Sequence, residues 1–268
     1  MQSETWNHWI GDRWPFREYP AVNHAFDRVA ARLELGCLRY LVPFFANISA
    51  SYARWAYDLP ASERYHHSYR FGLLIHSAET VDSALALSRD LMDRFEPVWH
   101  EVLIALALLH DCGRLFEVEV VDQRGGATWD PLQGPLDTFY RNGFVPLEDR
   151  FRWRPGRGIR THEYRALDLQ PLILGPYYED EFELRIVDAW RKYFERVWKS
   201  VLIHDFYPYA VAHIVACADR QSVREDRLRQ KTSAAPPDPK GTPPECYYSS
   251  LGRPSKIFTP PSSGGPRQ

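Results

Sequence analysis

Apolar residues recur at helical spacing along most of this chain. Over 22–56 they fall at Val29, Leu33, Leu35, Leu38 and Leu41 and are interrupted by Pro43, a pattern that predicts two helices or one kinked helix. Asp58-Leu59-Pro60-Ala61-Ser62 reads as a turn, because the residue before a proline is biased away from helix. An amphipathic stretch over 76–95 places Ala78, Val81, Ala84, Leu85 and Leu91 inward. Pro97 fits the first turn of the next helix, which is apolar without a break from Val102 to Leu109 and ends near Gly113. Further helices are predicted over 161–174, 178–201 and 207–229, and the strand signal is confined to Phe116, Val118, Val120 and Val121. The expected class is mostly α. Residues 1–20, rich in Trp and Pro, read as an irregular strap, and 122–155 as a long connection of the kind that lines a site. From Lys231 onward Pro, Ser and Gly dominate, which predicts a disordered tail.

Composition narrows the class further. A 268-residue chain that is 44% hydrophobic can bury one sizeable core. Its net charge of −2 does not advertise a nucleic-acid partner, so any such partner must be met by a local patch. Cys37, Cys112, Cys217 and Cys246 lie far apart, which argues for a reducing compartment and against a zinc ribbon; Cys112 and Cys217 read as inert core thiols. The start of the sequence does not read as a signal peptide, and no apolar run approaches the ~20 residues of a membrane-spanning helix. These readings predict a cytoplasmic, soluble protein without a membrane partner.

The candidate chemistry sits where apolar runs meet charge. His110-Asp111 closes the run Val102–Leu109, His76 follows Leu74-Ile75, and Asp219 interrupts Val215-Ala216-Cys217-Ala218. Each has an ordinary alternative: a satisfied buried histidine for His76, a pairing with Arg220 or Arg224 for Asp219. A buried Asp111, however, is costly without a partner. Imidazole with carboxylate suits divalent Mn, Fe, Co, Ni or Zn, and Mg less well. One or two ions with open positions would make water reactive and clamp a phosphoryl oxygen. Adjacent helical residues point ~100° apart, so His110 and Asp111 can face one ion only if the helix ends there.

The order His76, His110-Asp111, Asp219, with Gly113 following, resembles the HD superfamily of metal-dependent phosphohydrolases. The stretch Glu63-Arg64-Tyr65-His66-His67-Ser68-Tyr69-Arg70-Phe71-Gly72-Leu73-Leu74-Ile75-His76-Ser77 is similar to the HD-type domain of TraI-like relaxases from MobH conjugative systems, and to that of YhaM-like 3′-5′ exonucleases. The resemblance implies metal ligation by His76, His110, Asp111 and Asp219, and an HD-domain helical bundle over 59–229. Residues 1–58 would then be an N-terminal helical extension, and 230–268 the tail. Departures fall at Phe71, where a second Gly is usual, at Ile75, usually acidic, and at Arg114, usually Lys.

Around this set, Asp111 and Arg114 are candidate catalytic residues. His66 and His67 could contact phosphate, supply a proton or ligate a second ion, with His67 favoured as catalytic. His162, a further catalytic candidate that would complete a second ion site or stabilise the transition state if it faces the metals, follows a basic stretch in which Arg152, Arg154 and Arg157 interleave with Phe151 and Trp153, a candidate surface for phosphates and bases, although Glu148, Asp149 and Glu163 dilute it. Trp190, Tyr193 and Phe194 share a helical spacing and read as packing. The chain has no Walker-type phosphate loop and no nucleophile elbow, which argues against an ATP-driven helicase. The expected function is phosphodiester hydrolysis on DNA in a conjugative or integrative-element setting, alongside other conjugation proteins. A nucleotide phosphohydrolase and a non-catalytic DNA-binding or assembly module with a structural metal are the alternatives.

Overall fold

In the computed structural model, the structure describes residues 9–35, 38–122, 126–144, 151–154, 161–195 and 206–232. Its helices are α1 (Pro20–Leu35), α2 (Val42–Ala56), α3 (Gly72–Leu87), the short α4 (Arg89–Met92), α5 (Pro97–Leu109), α6 (Leu136–Arg141), α7 (Thr161–Leu174), α8 (Asp180–Glu195) and α9 (Phe206–Thr232). A two-stranded antiparallel ribbon, β1 (Val118–Glu119) with β2 (Arg152–Trp153), is the small β component, as the mostly α expectation requires. Val121 also bridges Thr128, so the predicted apolar strand run is used in two short pieces. The expected tail lies outside the described residues beyond Thr232.

Helix α5 is the axis of the bundle. Every residue from Val102 to Leu109 is fully buried, the state expected of a helix that is apolar on all sides. It packs against α2, α3, α8 and α9, while α3 in turn packs against α1 and α9. Pro43 does not break a helix: it sits in the first turn of α2, where its missing N–H costs nothing. The stretch expected over 76–95 divides at Ser88, which starts the short α4. The N-terminal segment joins the same core, Trp14 and Phe16 being buried against Phe26, Tyr57 and Phe71. Arg28 and Arg32 both pair with the buried Asp82, tying α1 to α3.

The loop before α3 is held tightly. Ser62 Oγ accepts from the N–H groups of Tyr65 and His66 and donates to the carbonyl of His66, while Ala61 N–H donates to the carbonyl of His67. Phe71 N–H reaches the Asp58 carbonyl, and Arg70 faces the Asp58 carboxylate at 3.3 Å. The turn is sharp enough to put His67 (φ 44°) and Phe71 (φ 65°) in the left-handed region, a cost of roughly 1–3 kcal/mol each that surrounding contacts must offset. Phe71 replaces the glycine usual in the resembled pattern and compensates by burial against Phe16 and Tyr19 and under Arg70. Gly72 then begins α3 directly on the His67 carbonyl, since a Cβ there would lie 1.9 Å from that oxygen.

Gly72→Ala should therefore force the His66-His67 loop away from α3. We expect a loss of about 3 kcal/mol or more in chemical denaturation, above the usual range for a helical Gly→Ala change. A substitution that leaves stability unchanged would show that the loop can move freely.

A candidate metal centre

Three elements converge on one point. His76 projects from the first turns of α3, His110 and Asp111 from the end of α5, and Asp219 from α9. Helix α5 ends at Leu109; His110 keeps helical angles, whereas Asp111 (φ −105°, ψ 10°) leaves them and opens a short 3-10 turn from Cys112 to Phe116. That change of path turns both side chains toward the same space. His76 Nε2 and His110 Nε2 lie 3.1 Å apart. Asp219 Oδ1 is 3.4 Å from the first and 3.8 Å from the second, and Asp111 Oδ2 is 3.7 and 3.9 Å away.

Hydrogen bonds on the far sides of the rings fix their protonation. His110 Nδ1 is 2.9 Å from the carbonyl of Ala107, which can only accept, so Nδ1 carries the proton. Ser222 Oγ donates to Glu79 Oε2 at 2.8 Å, and its oxygen lone pair receives His76 Nδ1 at 3.0 Å. In the neutral form of each ring Nε2 presents its lone pair to the other ring and to two carboxylates. That arrangement is repulsive unless a cation, either a proton on Nε2 or a metal ion, lies among the four groups. The donor set thus fits a divalent ion with mixed nitrogen and oxygen preference. His76, His110 and Asp111 offer donor atoms within 4.8 Å of one another, and so do His66, His67 and His76.

Charge and burial act against each other here. Burial favours neutral Asp111, but Arg114, whose Nε donates to Oδ2 at 2.8 Å, and the two histidines outweigh it and hold the carboxyl well below its ordinary range. Asp219 is likewise kept low, despite burial, by hydrogen bonding with His110 and His76. Burial drives His76 down. For His110 burial acts downward too, yet Asp111 and Asp219 overcome it and the net shift is upward. His66, buried beside His76 and His67, is pushed down to about 2, first by burial and then by its imidazole neighbours.

A second layer, absent from the expected site, encloses this cluster. Glu79 accepts from His67 Nε2 at 3.0 Å and from Arg229 at 2.8 Å, besides Ser222. Asp226 receives the backbone N–H of His67 at 2.7 Å and a Gln230 amide at 2.6 Å. Spacing held the signal that could have revealed it. Asp219, Ser222, Asp226 and Arg229 fall three, four and three apart, one polar face of α9, and Glu79 stands one turn beyond His76.

The remaining candidates separate clearly. Arg114 also approaches Glu117 at 3.5 Å and lies beside Asp111 as expected. His67 is fully buried with its Nε2 committed to Glu79, and His66 is nearly buried with its ring 4.9 Å from that of His76. Arg152 is exposed on β2 opposite Glu119, and Arg154 N–H bonds the Glu117 carbonyl. These contacts run to the ribbon rather than to the cluster. Arg157 lies outside the described residues; His162 falls in the first turn of α7, with its side chain outside them. Cys112 is a buried thiol pushed upward by burial, as expected, but Cys217 is only half-buried, beside His213 and Arg220, and is not a core thiol. Trp190 and Phe194 are buried packing residues, as their spacing indicates.

The family model described as "TraI_2: Putative helicase" matches residues 25–240. Over 84 residues the chain is 33% identical to the 3′-5′ exoribonuclease YhaM of Listeria monocytogenes serotype 4b, a segment covering 31% of this chain and 21% of that relative. The same identity and coverage hold for YhaM of Listeria innocua serovar 6a and of Listeria welshimeri serovar 6b. The chain thus spans about a fifth of the length of these curated relatives. No solved structure matches. No helix among the described residues is long and apolar enough to cross a membrane.

The shifted histidines predict how stability depends on pH. In the unfolded chain a histidine takes its proton near pH ~6.5. The folded state keeps His66 neutral well below that and shifts His76 in the same direction, so each contributes stability that is present above the unfolded value and is lost as pH falls. His110 has the opposite sign: its contribution is complete below the unfolded value and declines as pH rises through the folded one. Asp111 and Asp219 add losses only below the ordinary carboxylate range. Metal-stripped protein should therefore lose stability between pH ~6 and ~4.5, with a limiting slope of ~1.4 kcal/mol per pH unit from His66 and a further loss in the same direction from His76. Urea titrations across this window would refute the assignment if stability were flat.

Proposed function

Because this chain belongs to the TraI_2 family, we propose, with that membership as premise, that it is a metal-dependent phosphohydrolase of the HD superfamily. Its substrate in this reading is a phosphodiester of nucleic acid, DNA in a conjugative or integrative-element setting, and the HD-type unit spans 59–229. The observation that carries the reading is the pair of Nε2 atoms of His76 and His110, 3.1 Å apart and flanked by Asp111 and Asp219. The exonuclease named in the partial relatives supports phosphodiester chemistry. The family description names a helicase, but this chain carries no Walker-type loop with which to bind a nucleoside triphosphate, and hydrolysis at the His/Asp cluster suits its residues better.

His76, His110, Asp111 and Asp219 would hold the ion. A divalent ion there supplies a water of lowered pKa and a polarised phosphoryl oxygen. The chain's own groups define the rest. Arg114 fixes the Asp111 carboxylate and screens its charge. Ser222 and Glu79 hold His76 in the tautomer that points Nε2 inward. His67, buried against Glu79, is a positioning residue of that layer, and His66 stands neutral next to His76, able to accept a proton or a hydrogen bond. Asp219, with 29% of its side chain exposed against 10% or less for the other three, marks the side open to substrate.

Asp111→Asn and Asp219→Asn should each reduce Mn- or Fe-supported hydrolysis of oligonucleotides by ~100-fold or more while leaving the helical circular dichroism intact. Wild-type protein that turns over neither oligonucleotides nor mononucleotides with Mn, Mg, Ni or Fe would overturn the assignment. A wild-type rate in either variant would do the same.

A further inference from the structure

Helix α9 has two polar faces, and only one belongs to the metal centre. The inner face carries Asp219, Ser222, Asp226 and Arg229. The outer face carries Arg220, Arg224, Arg227 and Lys231, all exposed, at intervals of four, three and four residues. At ~1.5 Å per residue these form a stripe ~16 Å long. Among the described residues none of the four makes an ion pair with a carboxylate; Arg220 reaches only the Cys217 sulfur, at 3.2 Å. Glu225, next to Arg224 in sequence, accepts from Gln221. A cavity of about 510 Å³ runs along this face from Asp219 to Lys231, with Val223 and Leu228 as its apolar lining.

We propose that this outer face is the track that binds the backbone of a single nucleic-acid strand and leads it to the metal centre at Asp219. The inference deepens the phosphodiesterase reading and, for the role of Asp219, rests on it. Four cations with no carboxylate partner among the described residues, spaced one helical turn apart, match the repeated charge of a polyanion, and their long side chains follow a backbone without reading sequence. Val223 and Leu228 supply apolar contact for sugars or bases between the charges. One end of the stripe begins at the residue next to the most exposed candidate ligand, so a phosphate leaving Arg220 arrives at Asp219. A single strand can reach a cluster that is buried but for that carboxylate. This stripe lies on α9, a different element from β2, which carries Arg152.

The test is fluorescence anisotropy of a labelled oligothymidylate with the full chain in EDTA, so that binding is read without turnover. Arg224→Ala/Arg227→Ala/Lys231→Ala should weaken binding by about tenfold or more, and should reduce the slope of log affinity against log salt by ~2, three phosphate contacts at ~0.7 each. Hydrolysis of bis(p-nitrophenyl) phosphate with Mn should stay within about twofold of wild type, because the small ester does not need a track. A variant with equal charge loss elsewhere, Arg39→Ala/Arg89→Ala/Arg94→Ala, should bind the strand like wild type. The proposal is overturned if wild type does not bind the strand, or if the α9 variant keeps wild-type affinity and slope. It also fails if the control variant loses as much, or if duplex or polyglutamate binds as tightly. A chain that binds the strand through α9 yet hydrolyses nothing would sink the phosphodiesterase reading and leave the track standing.

Discussion

Two imidazole nitrogens facing one another 3.1 Å apart constrain everything else in this molecule. Such a contact is repulsive in an apolar interior unless something positive lies beside it. The fold nevertheless enforces it from both sides: the Ala107 carbonyl holds the proton on His110 Nδ1, and the Ser222–Glu79 pair holds it on His76 Nδ1. Asp111 and Asp219 add negative charge to the same space.

The bundle is arranged to make that placement rigid. Helix α5, buried on every side, cannot shift its end without disturbing four neighbours, and it delivers His110 and Asp111 where its helical path stops. On the opposite wall the loop at 58–71 is clamped by Ser62 and Asp58 and carries two left-handed residues, a strain tolerated because Gly72 lets α3 start against the His67 carbonyl. His67, Glu79, Asp226 and Arg229 then fill the space behind His76 with a network of hydrogen bonds and ion pairs. Partial satisfaction would be costly at that depth, so the network fixes the ring as firmly as packing does.

Much of this was legible in the residues. The mostly α class followed from helical spacing, and the convergence of His76, His110, Asp111 and Asp219 from the interruption of apolar runs by charge, since a buried Asp requires a partner. The supporting layer was not, because Glu79, Ser222, Asp226 and Arg229 look like ordinary solvated positions until helix faces are assigned. The arginines of 150–160 cluster along the chain and are visible at once, whereas those of α9 are dispersed among acids that the helix turns to its other faces. Pro43 and Phe71 show the limits of local rules. The first is absorbed at a helix start, and the second bears a backbone conformation usual for glycine because its ring is buried among aromatic neighbours.

The claim that the four acceptors exist to hold a cation is tested most directly by elemental analysis of protein purified without chelator, followed by titration of stripped protein with Mn or Co while thermal unfolding is recorded. The account predicts at least one transition-metal ion per chain and a melting temperature that rises with added metal, both lost in the His76→Ala/His110→Ala double variant. Protein that emerges free of metal, and whose unfolding is indifferent to every divalent ion added, would contradict it.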